Sequence, residues 1–246
     1  MKKIIITAVV LLATLHLPAK DYKASLFGVK SDGSTLNTRS IQKALDFISE
    51  NGGGRLVFYV GRYLTGTIHL RSNVTVQLEE GAVLVGVPTI YDYRGIDGHN
   101  SLIVADSVVH AGITGKGVIE GEGRAVLQSI LEQKAKGHLG KTAEEAAPHL
   151  IRLNRCENIT LSDINLRDPA NQCLSLMNCK RVQITGVTIK GNAAPATVGI
   201  EIGESEAIQL DNLFFDTSGK EVVLSGANRN ITAKECVNKT GKKITP

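Results

Sequence analysis

Tryptophan is absent, phenylalanine and tyrosine number five each, and aromatic rings make up only 4% of the chain. A module that grips sugars by stacking them on exposed rings is therefore not suggested. Four cysteines, Cys156, Cys173, Cys179 and Cys236, show neither the CxxC spacing nor a nearby histidine pair, so no metal site is expected, and no cofactor. Basic residues nowhere cluster with aromatic ones, which argues against nucleic-acid binding. Long apolar runs are missing too. The one continuous run, Ile4–Leu15, is too short to span a bilayer comfortably, so no membrane insertion is expected.

That run has a different use. Lys2 and Lys3 precede it and His16-Leu17-Pro18-Ala19 follows, the basic, apolar and small-residue order of a secretory signal peptide over residues 1–19. The expectation is a secreted or periplasmic protein whose residues 20–246 form a single domain, most simply a monomer. A hydrophobic fraction of 42% is ample for a continuous core, and the net charge of +4 is only mildly basic. Export permits disulfides, so the state of the four thiols stays open.

What is present is repetition. Cys156-Glu157-Asn158-Ile159-Thr160-Leu161-Ser162-Asp163-Ile164-Asn165-Leu166 superimposes on Cys179-Lys180-Arg181-Val182-Gln183-Ile184-Thr185-Gly186-Val187-Thr188-Ile189, with apolar positions coinciding throughout. Ile208, Leu210, Leu213 and Phe215 form a third copy, and Ile231, Ala233 and Cys236 open a fourth. Weaker copies begin at Val74 and Ile113. Within each copy apolar and polar residues alternate, the period of a half-buried strand. One copy cannot bury its own apolar face. Successive copies stacked about 4.8 Å apart can, and a solenoid of short parallel strands results.

In such a stack Ile159, Val182, Ile208 and Ile231 form one inward ladder, and Cys156 and Cys179 occupy matching places, bonded or not. Sequons at Asn73, Asn158, Asn230 and Asn238 read better as turn asparagines laddering between coils than as glycosylation sites. The open end of a solenoid needs a cap. Residues 37–51 supply a helix, with Asn37 or Thr38 as N-cap, Ile41, Leu45 and Ile48 on one face, and Asn51-Gly52-Gly53-Gly54 as the stop. Residues 124–148 break the strand pattern and read as a helical or irregular excursion.

Four stretches then carry a family resemblance: Leu26–Leu45, Gly52–Gly66, Leu70–Ala82 and Ile113–Gly123. Together they resemble the pectin-lyase-like β-helix proteins, and among these the family 28 glycoside hydrolases, the polygalacturonases and their relatives. The resemblance implies an all-β, right-handed parallel β-helix of single-stranded type with an N-terminal capping helix. It also implies a polysaccharide or oligosaccharide partner of galacturonan-like, acidic class. That family inverts its substrate with aspartates in an Asn-Thr-Asp motif and an Asp-Asp pair one coil later, followed by Gly-His-Gly and Arg-Ile-Lys.

Here the matching positions are Val198, then Gly219 and Lys220, and the last two motifs have no counterpart before Pro246, as in a truncated member. None of the three can protonate a leaving oxygen or activate water. The substitutes on offer are Glu201 and Glu221, in adjacent coils, as a catalytic pair if both face one groove. Lys220 and Arg152 are the candidates for contacting an acidic sugar. Asp168 reads as a turn residue and His149 has no evident acid partner. Two functions stay open: a polygalacturonase-like hydrolase of weak or no polygalacturonase activity, or a non-catalytic glycan-binding or structural β-helix.

Overall fold

A computed structural model describes residues 20–140 and 142–245; the signal-peptide reading of residues 1–19 lies outside the described residues. Alternating short strands stack with their counterparts in neighbouring coils, and the chain winds as a right-handed parallel β-helix. Three sheets form its walls, of eight, seven and seven strands. The first contains Val74–Leu78, Val109–Gly115, Glu157–Ser162, Lys180–Thr185, Glu206–Asp211 and Arg229–Lys234. The third, which matters most below, contains His99–Asp106, His149–Asn154, Leu174–Met177, Ile200–Gly203 and Val222–Ser225.

The inward ladder is in register: Ile159 pairs with Val182, Val182 with Ile208 and Ile208 with Ile231. The first three are buried, while Ile231, in the last coil, is only half-buried. At about 25 cal/mol per Å² of apolar area, each fully buried member contributes roughly 1.5–3 kcal/mol. Cys156 and Cys179 also occupy matching places. Each thiol donates to a carbonyl two residues earlier, at 3.2 and 3.3 Å, and all four cysteines are free and buried.

The cap is helix α1, Thr38–Glu50, which turns Ile41, Ala44, Leu45 and Ile48 onto the core. Asn37 holds the N-cap position, yet its side chain does not cap the helix. It is buried instead, accepting from Lys30 N at 2.8 Å and donating to the carbonyls of Lys30 and Thr35 at 2.9 Å each. Loop closure outweighs capping at this residue. Gly53 ends the turn at φ 90°, where a Cβ would lie 2.4 Å from Asn73 O, so only glycine fits.

The asparagine ladder needs correction. Asn73, Asn158 and Asn230 do fall in one column, but its other members are His110, Arg181 and Ala207, and all six have φ between 53° and 63°. The column is a recurring left-handed bend, which Asn tolerates well. Its clearest cross-coil bond runs from Arg181 Nε to Asn158 Oδ1 at 2.8 Å.

The excursion contains α2, Gly123–Ala135, and α3, Ala143–Ala146. It packs on the third sheet: Asn100 Nδ2 donates to Ala146 O and Asn171 Nδ2 to Ala147 O. The His149–Asn154 strand is consequently buried at every residue. Among the described residues, no helix is long and apolar enough to cross a membrane.

Candidate functional site

Covering the strand on both faces sets the site. Arg152 alternates with Ile151 and Leu153 of the core, so its side chain leaves the coil under the excursion, where it is 5% exposed. Register then aligns Arg152 with Ser175, Glu201 and Val223 across four successive coils. Arg152 Nη1 donates to Ser175 Oγ at 3.0 Å, and Ser175 Oγ donates to Glu201 Oε2 at 3.1 Å. The serine thus relays between guanidinium and carboxylate. Burial pulls the Arg152 pKa down from its ordinary value, and the negative charges of Glu201 and Asp97 oppose that pull.

Beside this row lies a cavity of about 310 Å³, lined by His99, Glu145, His149, Arg152, Asn171, Gln172, Met177 and Glu201. His149, at the start of its strand, is 4% exposed and neither ring nitrogen has a hydrogen-bond partner. Its ring centre lies 5.5 Å from that of His99. Burial first, then the charge of Arg152 and the neighbouring His99, push its pKa down to about 3. The imidazole is therefore neutral across the physiological range. Arg152 Nε and Gln172 Oε1 are likewise buried without a partner. Buried polar groups are normally satisfied, and leaving one unpaired costs about 1–3 kcal/mol. Three of the residues that line the cavity thus carry a polar atom without a partner, and each of these atoms is closed off from the cavity space. Glu145 enters from α3, held by a capping box in which its Oε2 accepts from Thr142 N at 2.8 Å.

A second, more apolar cavity of about 380 Å³ adjoins the first through Asn171 and reaches Ala194, Pro195, Ala196 and Thr197. It therefore borders the segment where the resembling family carries its first aspartate. Val198 and Lys220 are in register there, since Gly199 N donates to Lys220 O and Cys173 N to Val198 O. Val198 is half-buried and Lys220 exposed. Gly219 has no room for a side chain: a Cβ would lie 2.6 Å from the carbonyl of Ala196 and 2.8 Å from Thr197 O.

Of the four residues singled out in the sequence, the structure brings together two, Arg152 and Glu201. It places Glu221 elsewhere: Ile200 pairs with Val222, so Glu221 stands beside Gly199 rather than Glu201. Its carboxylate accepts from Asn238 Nδ2 at 2.8 Å, which holds its pKa below the ordinary value. Neither Glu221 nor Lys220 lines the cavity. Sequence reasoning missed Gln172, His99 and Glu145, and named His149 without giving it a role. The available signal was slight: Pro148-His149 at the end of the excursion and, one coil later, Asn171-Gln172 before the next strand of the same sheet.

Comparison with known proteins agrees with this architecture. The sequence model of the family described as Glycosyl hydrolases family 28 matches residues 58–245. A crystal structure of a putative glycosyl hydrolase from Parabacteroides merdae superimposes with a TM-score of 0.87 at 44% identity, covering 91% of this chain and 100% of that one. A family 28 exopolygalacturonase from Yersinia enterocolitica superimposes with a TM-score of 0.78 at 23% identity, covering 89% of this chain but 49% of that one. In sequence, an exo-poly-alpha-D-galacturonosidase of Dickeya chrysanthemi is 27% identical over 80% of this chain and 40% of its own length. The chain spans about half the length of the curated relatives it matches.

Proposed function

Because the chain belongs to glycosyl hydrolases family 28, we propose that it recognises a pectic or related polysaccharide outside the cytoplasm, with weak or no polygalacturonase activity. One observation carries the reading. A cavity of ligand size is lined by polar and charged side chains, while the family's acid positions hold Val198, Gly219 and Lys220. A built polar cavity supports binding. The missing acids argue against rapid inverting hydrolysis, which needs one carboxylic acid and one carboxylate across the scissile bond. The basic, apolar and small-residue order of residues 1–19 supports export.

A second reading has one observation in its favour. Glu145 and Glu201 line the same cavity, so a relocated acid pair would be these two rather than Glu201 and Glu221. The deciding experiment measures reducing-end release and binding side by side, on polygalacturonan, methyl-esterified pectin and neutral pectic side-chain oligosaccharides. Saturable binding with little release is the expected result. Brisk release lost in both Glu145→Gln and Glu201→Gln would establish the second reading, and absence of binding to every glycan would overturn both.

A further inference from the structure

The first sheet carries a trough of its own, about 520 Å³ in volume, on a wall that holds none of the residues of the cavity beside Arg152. Its shape follows from the left-handed bend that recurs in that sheet. In the coil of Asn158-Ile159-Thr160, Ile159 faces the core and its two neighbours stand outside it, and the bends at His110, Arg181 and Ala207 repeat the pattern. Stacked coils thus make a trough with a backbone floor between two rows of side chains. One row, Thr75, Gly112, Thr160, Gln183 and Gln209, is in register across five coils. Four steps of about 4.8 Å make it about 19 Å long. Gly112 leaves a gap in the row, and the gap is fixed, because a Cβ there would lie 2.6 Å from Thr160 O.

The polar groups of the trough are accessible and short of partners. Among the described residues, the hydroxyls of Thr75 and Thr160 and the ring of His110 bond to no protein atom. Thr160 and His110 are exposed and Thr75 is half-buried. Gln183 Nε2 donates to Gln209 Oε1 at 3.3 Å, which leaves Gln183 Oε1 to accept and Gln209 Nε2 to donate outward. Among the described residues that line the trough, Arg181 alone carries a fixed charge, and Glu157 and Asn158 Oδ1 hold it. The apolar lining is Ala111 and Ile159, both turned into the core, and Ala207. A nucleic acid would find one cation, already paired, and an apolar peptide no pocket for its side chains. Hydroxyls and amides that donate and accept suit sugar hydroxyls, and they recur at about the length of one pyranosyl unit.

We infer that this trough is a second glycan-binding site, which lays an extended oligosaccharide of about four units along the solenoid axis and holds it by its hydroxyls. The inference rests on the reading above for the class of ligand and adds a place of attachment on another wall. On a long polysaccharide the two sites act together, because a chain held at one is concentrated at the other.

Amide NMR on the isotopically labelled whole protein tests it, with galactan oligosaccharides of two to six units as the neutral probe and oligogalacturonates of the same lengths as the acidic one. The backbone amides of Gly112 and Thr160 and the side-chain amides of Gln183 and Gln209 should shift together. Affinity should rise up to about four units and level off beyond. Trough binding by galactan alone assigns the site to neutral chains, and binding by both probes assigns it to the hydroxyls they share. Binding by oligogalacturonate alone, weakening steeply with salt, would place its carboxylates on Arg181 and overturn recognition by hydroxyls. Shifts confined to the surroundings of His149 and Glu201 overturn the inference and leave glycan recognition intact. Shifts nowhere, with these or any other glycan, overturn both.

Gln183→Ala combined with Gln209→Ala supplies an internal check, since both side chains are exposed. Losing their hydrogen bonds should weaken trough binding by about tenfold and leave any shifts around His149 and Glu201 as they were. Unchanged trough binding in a double variant that melts like the unmodified protein would refute the role of this row. The shift map and the length dependence of the unmodified protein stand as tests even if the variant folds poorly.

Discussion

Restoring the family's aspartates as Val198→Asp, Gly219→Asp and Lys220→Asp together should not create brisk polygalacturonan hydrolysis, and the three positions fail for different reasons. Lys220 is exposed, so its exchange should change stability by no more than about 0.5 kcal/mol. Val198 is half-buried and can turn a carboxylate toward solvent at modest cost. Gly219 is the obstacle, because a Cβ there would lie 2.6 Å from the backbone of Ala196 and 2.8 Å from that of Thr197. Relief requires shifting the loop that borders the second cavity, an overpacking cost of about 1–3 kcal/mol. At roughly 2–4 °C per kcal/mol for a domain of this size, the triple variant should melt about 2–12 °C below the unmodified protein. The shifted loop would also carry the new carboxylates away from their intended places. General acid and base roles are each worth ~10²–10⁴ in rate, so a chain lacking both should fall about 10⁴–10⁸ below a competent enzyme. Reducing-end release from polygalacturonan and thermal unfolding, measured on the same preparations, check both halves. A triple variant that melts with the unmodified protein and gains a thousandfold in release would refute the steric argument. Brisk release by the unmodified protein, abolished by Glu145→Gln and by Glu201→Gln, would refute the chemical one.

Three further outcomes follow from burial and register. Ile208→Ala, in the middle of the inward ladder, should cost about 2–5 kcal/mol in urea unfolding, and Ile231→Ala, half-buried in the last coil, clearly less; equal costs would contradict the stacking. His149 should make the fold acid-sensitive: its pKa is about 3 when folded against 6.5 unfolded, so the unfolded chain binds the extra proton and stability falls as pH drops from about 6.5 toward 3. The slope from this group should approach about 1.4 kcal/mol per pH unit near pH 4–5, and His149→Gln should remove it. A thiol-reactive dye should label Cys156, Cys173, Cys179 and Cys236 slowly in the native protein and fully in denaturant, since all four are free and buried; rapid native labelling would contradict their burial, and failure in denaturant without reductant would show a bond.

Most of the fold was legible because its causes are local and repeated. Alternation of apolar residues gives strands, and the recurrence of Cys156-to-Leu166 at Cys179-to-Ile189 gives the stacking, which the register then follows residue by residue. The left-handed column was read as an asparagine ladder because three of its members are Asn. Arg181, Ala207 and His110 adopt the same backbone without the same side chain, so composition alone concealed the bend. Loop demands were equally hidden: nothing local announces that Asn37 bonds Lys30 instead of its own helix.

The site was less legible because it depends on two long-range facts. Coils in this chain differ in length from wall to wall. Repeats read on the first sheet therefore do not give the register of the third, where Glu201 pairs with Val223 and Glu221 falls beside Gly199. A pairing inferred from proximity in sequence thus separates in space. The second fact is the excursion. An arginine alternating with apolar residues on a solenoid wall belongs to solvent unless something covers it. Here α3 and its flanks are fastened to the wall through Asn100 and Asn171, and they turn Arg152 and His149 into buried groups. The cover does not satisfy them. It leaves ring nitrogens, a guanidine nitrogen and an amide oxygen buried without hydrogen-bond partners. A cover evolved only to shield coil edges would be expected to bring apolar side chains or matching hydrogen bonds, since each orphaned group otherwise costs about 1–3 kcal/mol.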